Sequence, residues 1–337
     1  MTRQPETREG TESHVTDTPD TAVLWQTVTA TLATVSCCLV AGPYVIRALK
    51  KRFTERIASD STTLDTLHAG KHGTPTMGGV LIIGGLALGF TLCRNASISE
   101  RLLAVAVAGS FGLLGALDDW VKATTARKGL SVRQKLLGQI VLALAAATAL
   151  TLWSPLPPPT HDWSGRTAAV LWSAFVLIAT CNAVNLTDGL DGLAAGCMAI
   201  CAAALAFVFL RSPATAGTGQ LAAVLASAAA GFLWFNRYPA QVFMGDAGAL
   251  AMGAVLGLLG LQARQEWLLG IAGIVFAAET LSVIAQVAWF RRTGRRLLLC
   301  SPLHNHFVFR RIPEHKIVRA FWMAGLAAAT ATVLCNK

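Results

Sequence analysis

Three stretches of this chain place carboxylates at the edges of apolar runs. Asp118 and Asp119 close one run in LGALDDWVK, Asp188 and Asp191 lie between two runs in NAVNLTDGLDGLAAG, and Asp246 opens another in QVFMGDAGAL. Neighbouring helical positions point about 100° apart, so Asp118 and Asp119 need not do the same work. Asp188 and Asp191, three residues apart, share a face if their segment is helical. A helix C-terminus disfavours negative charge, and ionisable groups near membrane depth are functional candidates. Asp246 alone reads equally well as a helix cap. Taken together, however, carboxylates repel one another unless a cation lies among them. Oxygen-only ligands suit a hard cation such as Mg²⁺, which uses one or two carboxylates plus substrate phosphates.

The accompanying residues fit that chemistry. Asn182 and Asn185 add amides beside the second acidic pair, and Lys122 follows the first. In KHGTPTMGG, Lys71 can meet a phosphate, while Gly73 and Pro75 shape the entry to the next apolar run. In SPLHNHFVFRRIPEHK, His304 and His306 share a basic stretch with Arg310, Arg311 and Lys316. Two imidazoles can bind a transition metal, but no cysteine pattern or third histidine at metal spacing accompanies them. Anion recognition or proton transfer fits the basic surroundings better, and an interfacial amphipathic loop is the plain alternative. Carboxylates for Mg²⁺, cations for phosphate and apolar runs for a lipid point to phosphoryl chemistry. It would join a nucleotide-bearing substrate to a lipid acceptor, with the metal and cationic groups stabilising a leaving nucleotide.

The elements that must position these residues are transmembrane helices. The chain has 337 residues, 54% hydrophobic and 14% charged, with a mean hydropathy of +0.54. A soluble domain carries nearer a quarter charged residues. The expected fold is an all-α polytopic membrane protein of about ten transmembrane helices. Apolar segments lie near 22–48, 76–93, 102–118, 136–153, 167–184, 193–210, 219–235, 242–262, 267–290 and 318–335. A span needs about 20 residues, so no sizeable soluble domain fits beside them. Residues 1–20 read as a disordered polar tail and 21–337 as a single transmembrane catalytic domain. The run after the tail is too long for a signal-peptide core. The triple proline at 157–159 marks a rigid connection. The eight cysteines form no CxxC or zinc spacing and read as small hydrophobes.

Charge orients the chain. The connections after the odd-numbered spans collect 20 of the 28 Lys and Arg residues. The positive-inside rule then puts those connections in the cytoplasm and both termini in the periplasm. The chemistry-bearing residues crowd the same side, which is the side with access to nucleotides. The net charge of +10 is accounted for by this loop bias or by phosphate-bearing substrates, and nucleic acid is not expected as a partner.

These motifs have a familiar order. From about residue 45 to 325, KHGTPTMGG, LDDWVK, GLSVRQKLLGQ, NAVNLTDGLDGLA, VFMGDAGAL and the HNHF loop follow one another as in the phospho-N-acetylmuramoyl-pentapeptide transferases. The chain resembles that family, within the polyprenyl-phosphate N-acetylhexosamine-1-phosphate transferase superfamily. The resemblance implies a cytoplasmic-facing active site in the bacterial inner membrane, Mg²⁺ as cofactor and a homodimer. The implied reaction transfers phospho-MurNAc-pentapeptide from UDP-MurNAc-pentapeptide to undecaprenyl phosphate, giving lipid I and UMP in peptidoglycan synthesis. By the same resemblance Asp118 matches the proposed base, Asp119 its neighbour, and Asp246 the metal ligand. His304 and His306 join them as catalytic candidates. Lys71, Thr76, Lys122, Lys135, Asn185, Asp188, Asp191, Phe243 and Gln286 match substrate-binding positions, with Phe243 placed to stack on uracil. The family usually shows three consecutive histidines, an aromatic residue and Glu. Here the run is His304, Asn305, His306, Phe307 and Val308, and asparagine can hydrogen-bond but cannot titrate.

Three other readings compete. A sister enzyme would carry GlcNAc-1-phosphate, or a related sugar phosphate, from UDP to a polyprenyl phosphate with the same aspartates. PTMGG and the PLHNHF loop favour the pentapeptide enzyme over it. An ion-coupled transporter would show repeats and broken helices near the midplane, and no repeat is evident. A non-catalytic lipid-binding relative is the last.

Overall fold

The computed structural model describes residues 21–51, 53, 73–125, 129–153 and 163–336. The polar tail 1–20, Lys71 and the triple proline at 157–159 lie outside the described residues. Among the described residues the chain is all helical, with nine helices long and apolar enough to cross a membrane and one shorter apolar helix. In chain order they are α1 (Thr21–Lys50), the short α2 (Gly79–Leu92), α3 (Ile98–Thr124), α4 (Val132–Trp153) and α5 (Trp163–Thr187). Then come α6 (Leu193–Leu210), α7 (Ala216–Asn236), α8 (Gly245–Ala263), α9 (Trp267–Ala272), α10 (Ile274–Thr293), α11 (Leu303–Phe309) and α12 (Glu314–Cys335). The ninth segment read from sequence, 267–290, is two helices. Gly273 interrupts it, and its N–H bonds back to the carbonyl of Leu269.

The helix that matters most is α8. Every residue from Asp246 to Ala263 is buried. Its sequence, GDAGALAMGAVLGLLGLQA, is mostly small residues. In a bilayer, where lipid is as apolar as leucine, close van der Waals packing holds helices together, and small residues allow it. Helices α3, α5, α2 and α7 pack around α8. The outer helices α1, α4, α10 and α12 keep most of their surface exposed, as lipid-facing helices should.

Local signals start and stop α3. Ser97 and Glu100 form a reciprocal cap, with the Ser97 Oγ accepting from the Glu100 N–H at 3.2 Å and Glu100 accepting from the Ser97 N–H at 2.7 Å. The helix runs from there without a break to Thr124, carrying Asp118, Asp119 and Lys122 in its last two turns. Helices alternate in direction, so the ends of α3, α5 and α7 meet the starts of α2, α4, α6 and α8 at one face. Among the described residues, the clustered Asp118, Asp119, Lys122, Lys135, Asn185 and Asp246 lie at that face. At the opposite end the contacts are ordinary linker bonds, such as the Asn95 N–H to the Gln220 side chain at 3.1 Å.

Candidate active site

The site grows from the N-terminus of α8. The first N–H groups of a helix have no partner within it. Here Asp119, from the neighbouring α3, supplies one: its two oxygens accept from the N–H groups of Asp246 and Ala247, each at 3.1 Å. This needs close backbone approach. A Cβ at Gly115, one turn earlier on α3, would overlap the Asp246 carbonyl. Gly245 has φ +70°, a conformation L side chains avoid, and a Cβ there would also overlap the Asp119 carboxylate and crowd Thr76. The segment before α2 is strapped to the same place. Phe243 donates to the Pro75 carbonyl at 2.8 Å, and Gly78 donates to the Phe243 carbonyl at 2.9 Å. Thr76 is thereby buried beside the site, with Phe243 half-buried.

Four helix ends then deliver an ionic cluster. The carboxylates of Asp118, Asp119 and Asp246 offer oxygens within 4.8 Å of one another. The Lys122 ammonium lies 2.6 Å from Asp118, 2.9 Å from Asp246 and 3.8 Å from Asp119. Lys135, from the first turn of α4, lies 2.7 Å from Asp246 and 3.2 Å from the Asn185 side-chain oxygen. Asn185, near the end of α5, donates to the other Asp246 oxygen at 2.7 Å. Asp118 also accepts from the Leu130 N–H at 2.7 Å. Three carboxylates face two ammoniums, so with all of them ionised one negative charge is in excess. Repulsion in a low-dielectric setting makes such an excess costly. This donor set fits a hard divalent cation: carboxylate oxygens converge, and Asp246 stands at the centre of the cluster.

Adjacent aspartates do different things here, as the 100° turn between them requires. Asp119 faces the backbone of α8, whereas Asp118 and Asp246 share Lys122. The second acidic pair also divides. Helix α5 ends at Thr187, and residues 188–192 form a turn, so Asp188 and Asp191 do not share a helical face. The buried Asp191 accepts from the Ala240 N–H at 2.9 Å, and its own N–H donates to Glu314 at 2.6 Å. Asp191 thus joins the turn to the 237–243 loop, while Asp188 is half-buried on the turn itself. The triad does not include either of them. Asn182 pairs with Gln139 through both amides, at 2.9 and 3.3 Å, and braces α5 against α4 below Lys135.

The histidine loop is held from α10. Gln286 accepts from the N–H groups of Leu297 and Leu298 at 3.0 and 2.8 Å, so the structure gives it a loop-tethering contact. The Nδ1 of His306 accepts from the Leu299 N–H at 3.1 Å. His304 is buried, and Asn305 is half-buried between the two histidines. Sequence reading missed the partner of His304: the fully buried Glu279, whose carboxylate lies 3.1 Å from Nδ1. Its signal was present as an acid in the middle of IVFAAETLSVIAQ. An ionisable residue inside a span is a functional candidate.

A polytopic helical bundle with acidic, basic and amide groups gathered at one face suits a membrane-embedded enzyme acting on phosphate-bearing substrates. Comparison with known proteins narrows the class. The family model of glycosyl transferase family 4 matches residues 101–264, and phospho-N-acetylmuramoyl-pentapeptide-transferase signature 1 matches residues 71–83. The phospho-N-acetylmuramoyl-pentapeptide-transferase of Desulforudis audaxviator is 42% identical over 312 residues, 86% of this chain and 92% of that protein. Its counterpart in Moorella thermoacetica is 42% identical over 304 residues, 87% and 93% of the two chains. That of Syntrophus aciditrophicus is 35% identical over 342 residues, 94% of each. The chain belongs to the phospho-N-acetylmuramoyl-pentapeptide-transferase family.

Proposed function

We propose that this protein transfers phospho-MurNAc-pentapeptide from UDP-MurNAc-pentapeptide to undecaprenyl phosphate, releasing UMP and forming lipid I. The observation that carries this reading is the convergence of Asp118, Asp246, Lys122, Lys135 and Asn185 at one face of the bundle. An oxygen of the lipid phosphate attacks the β-phosphorus of the nucleotide sugar. The bond from that phosphorus to the bridging oxygen breaks, and UMP leaves with the bonding electrons. Lys122 and Lys135 stabilise charge on the diphosphate, and Thr76, Asp188 and Phe243 border the place where the nucleotide binds. Asp246, with Asp118, would hold Mg²⁺, which neutralises the diphosphate and the departing phosphate. Both Asp118 oxygens already accept hydrogen bonds, from Leu130 and Lys122. Those contacts fix Asp118 as an orienting group beside Asp246 and Lys122. A lipid phosphate is largely ionised at neutral pH, so only a modest base is needed.

The acceptor's isoprenoid has an apolar seat. A groove of about 660 Å³ lies between α5 and the α9–α10 pair, and includes Trp172, Phe175, Trp267, Phe276 and Leu281. It extends along α5 to Val184, the residue before Asn185. A polyprenyl chain in this groove would present its phosphate at the ionic cluster. The bias of Lys and Arg to the connections after the odd-numbered spans supports a cluster at the cytoplasmic side of the bacterial inner membrane, with both termini periplasmic. The protein acts as a homodimer in this reading.

UMP release by purified protein with undecaprenyl phosphate and Mg²⁺ tests the reaction. UDP-MurNAc-pentapeptide and UDP-GlcNAc are compared side by side, with Asp246→Ala as control. Turnover of the first substrate alone, abolished in the variant, is expected. Turnover of UDP-GlcNAc alone would assign the protein to the sister reaction.

A further inference from the structure

A histidine has two ring nitrogens, and what one of them contacts decides what the other can do. His304 is 2% exposed and Glu279 is 0% exposed. The Glu279 carboxylate meets His304 twice. One oxygen lies 3.1 Å from Nδ1, and the carboxylate also accepts from the His304 N–H at 3.1 and 3.4 Å. An ionised carboxylate only accepts, so with Glu279 ionised Nδ1 carries the hydrogen. In the neutral ring this leaves Nε2 without a hydrogen and able to accept. Nε2 is directed at the turn that follows Asn185. A Cβ at Gly189 would overlap the imidazole at that nitrogen. The turn between Asp188 and Asp191 carries a glycine where the ring edge arrives.

We propose that Glu279 is a positioning residue for the transfer reaction: it fixes the orientation and tautomer of His304, so that Nε2 faces the turn carrying Asp188. The inference rests on the transferase reading given above. Glu279 is buried within α10, contacts His304 and is not among the clustered carboxylates, so it acts through the imidazole rather than on substrate. Its position inside a membrane helix is costly for a charged group, which a purely packing residue would avoid.

Glu279→Gln separates orientation from packing because it keeps the shape. Its amide would donate to Nδ1, which drives the hydrogen onto Nε2 and inverts the tautomer. With folding checked by thermal unfolding, kcat is expected to fall roughly 10²-fold, the scale of one acid–base contribution. KM for UDP-MurNAc-pentapeptide should change little. Glu279→Asp, which keeps the acceptor, should retain more kcat than Glu279→Gln. The double variant Glu279→Gln/His304→Gln should be no slower than His304→Gln alone, because coupled residues are not additive. Independent of activity, ¹⁵N-histidine spectra at about pH 8.5, where imidazoles are ordinarily neutral, should show His304 Nε2 without hydrogen in the native protein. In Glu279→Gln it should carry one.

Three results overturn the proposal. One is a native kcat in Glu279→Gln, another is losses that multiply in the double variant, and the third is a protonated Nε2 in the native spectrum. If Glu279→Gln does not fold, Glu279→Asp and the native spectrum decide. If the native protein releases no UMP from either nucleotide sugar, the transferase reading falls, and the spectra alone judge the positioning.

Discussion

Lys135 and Asp246 lie 2.7 Å apart although 111 residues separate them. One comes from the first turn of α4 and the other from the first turn of α8. Asn185 closes the arrangement by contacting both. Asp246 is therefore held on one oxygen by an amide and on the other by two ammoniums.

Asp246→Asn should remove the charge while keeping the contact to Asn185 or Lys135. Activity is expected to fall roughly 10²–10³-fold, the scale seen when one preorganised electrostatic group is lost. The Mg²⁺ concentration for half-maximal UMP release should rise in the residual activity. A variant with native Mg²⁺ dependence would remove Asp246 from the metal. Asp246→Ala should also destabilise the fold, since breaking a buried pair leaves unmatched charge worth about 3–5 kcal/mol.

Gly245→Ala tests the seam between α2, α3 and α8. The positive φ alone disfavours any L side chain by about 1–2 kcal/mol, and the added methyl meets the Asp119 carboxylate. The variant should unfold at a lower temperature and lose most UMP release, because Asp119 would be pushed from the N–H groups of Asp246 and Ala247. Native stability together with native activity would show that α8 can shift without consequence.

Much of this site was legible in the chain itself. LDDWVK and VFMGDAGAL announced their carboxylates by placing charge beside apolar runs, and the bundle brings them together. Lys135 is reached only through family resemblance, because nothing local links a lysine at the start of α4 to an aspartate on α8. Asp191 was legible as a carboxylate but not as a brace. Its role depends on the Ala240 N–H, 49 residues away, and on the turn that ends α5 at Thr187. Glu279 was hidden differently. A single acid inside a long apolar stretch barely alters hydropathy, and its meaning appears only when His304 folds against it. Gly273 was equally quiet, since one glycine in an apolar run does not announce a break between α9 and α10.

Asp191 gives a prediction that separates brace from ligand. Asp191→Asn keeps an oxygen to accept from Ala240, so UMP release should stay within a few-fold of native. Asp191→Ala removes the acceptor of the half-buried Ala240 N–H, a hydrogen bond worth about 1 kcal/mol, and should lower the unfolding temperature. A large loss of kcat in Asp191→Asn with unchanged stability would instead place its charge on substrate or metal.

Chelation separates a catalytic metal from a structural one. Within the cluster, Lys122 and Lys135 already offset two of three carboxylates, and Asp119 is satisfied by backbone N–H groups. The fold near the site therefore has its own counter-charges. EDTA should abolish UMP release and Mg²⁺ should restore it, while the unfolding temperature moves little. Binding at ten times Kd stabilises a protein by only about 1.4 kcal/mol, so a small rise on adding Mg²⁺ is consistent with this. A collapse of the unfolding temperature in EDTA would make the metal a structural element. Asp118 and Asp246 would then need it to stay where they are, and the two lysines would be too weak a substitute. Lys122→Met supplies the complement. With one ammonium removed, the carboxylates lose an internal partner, and the protein should depend more on Mg²⁺ for stability even as activity falls.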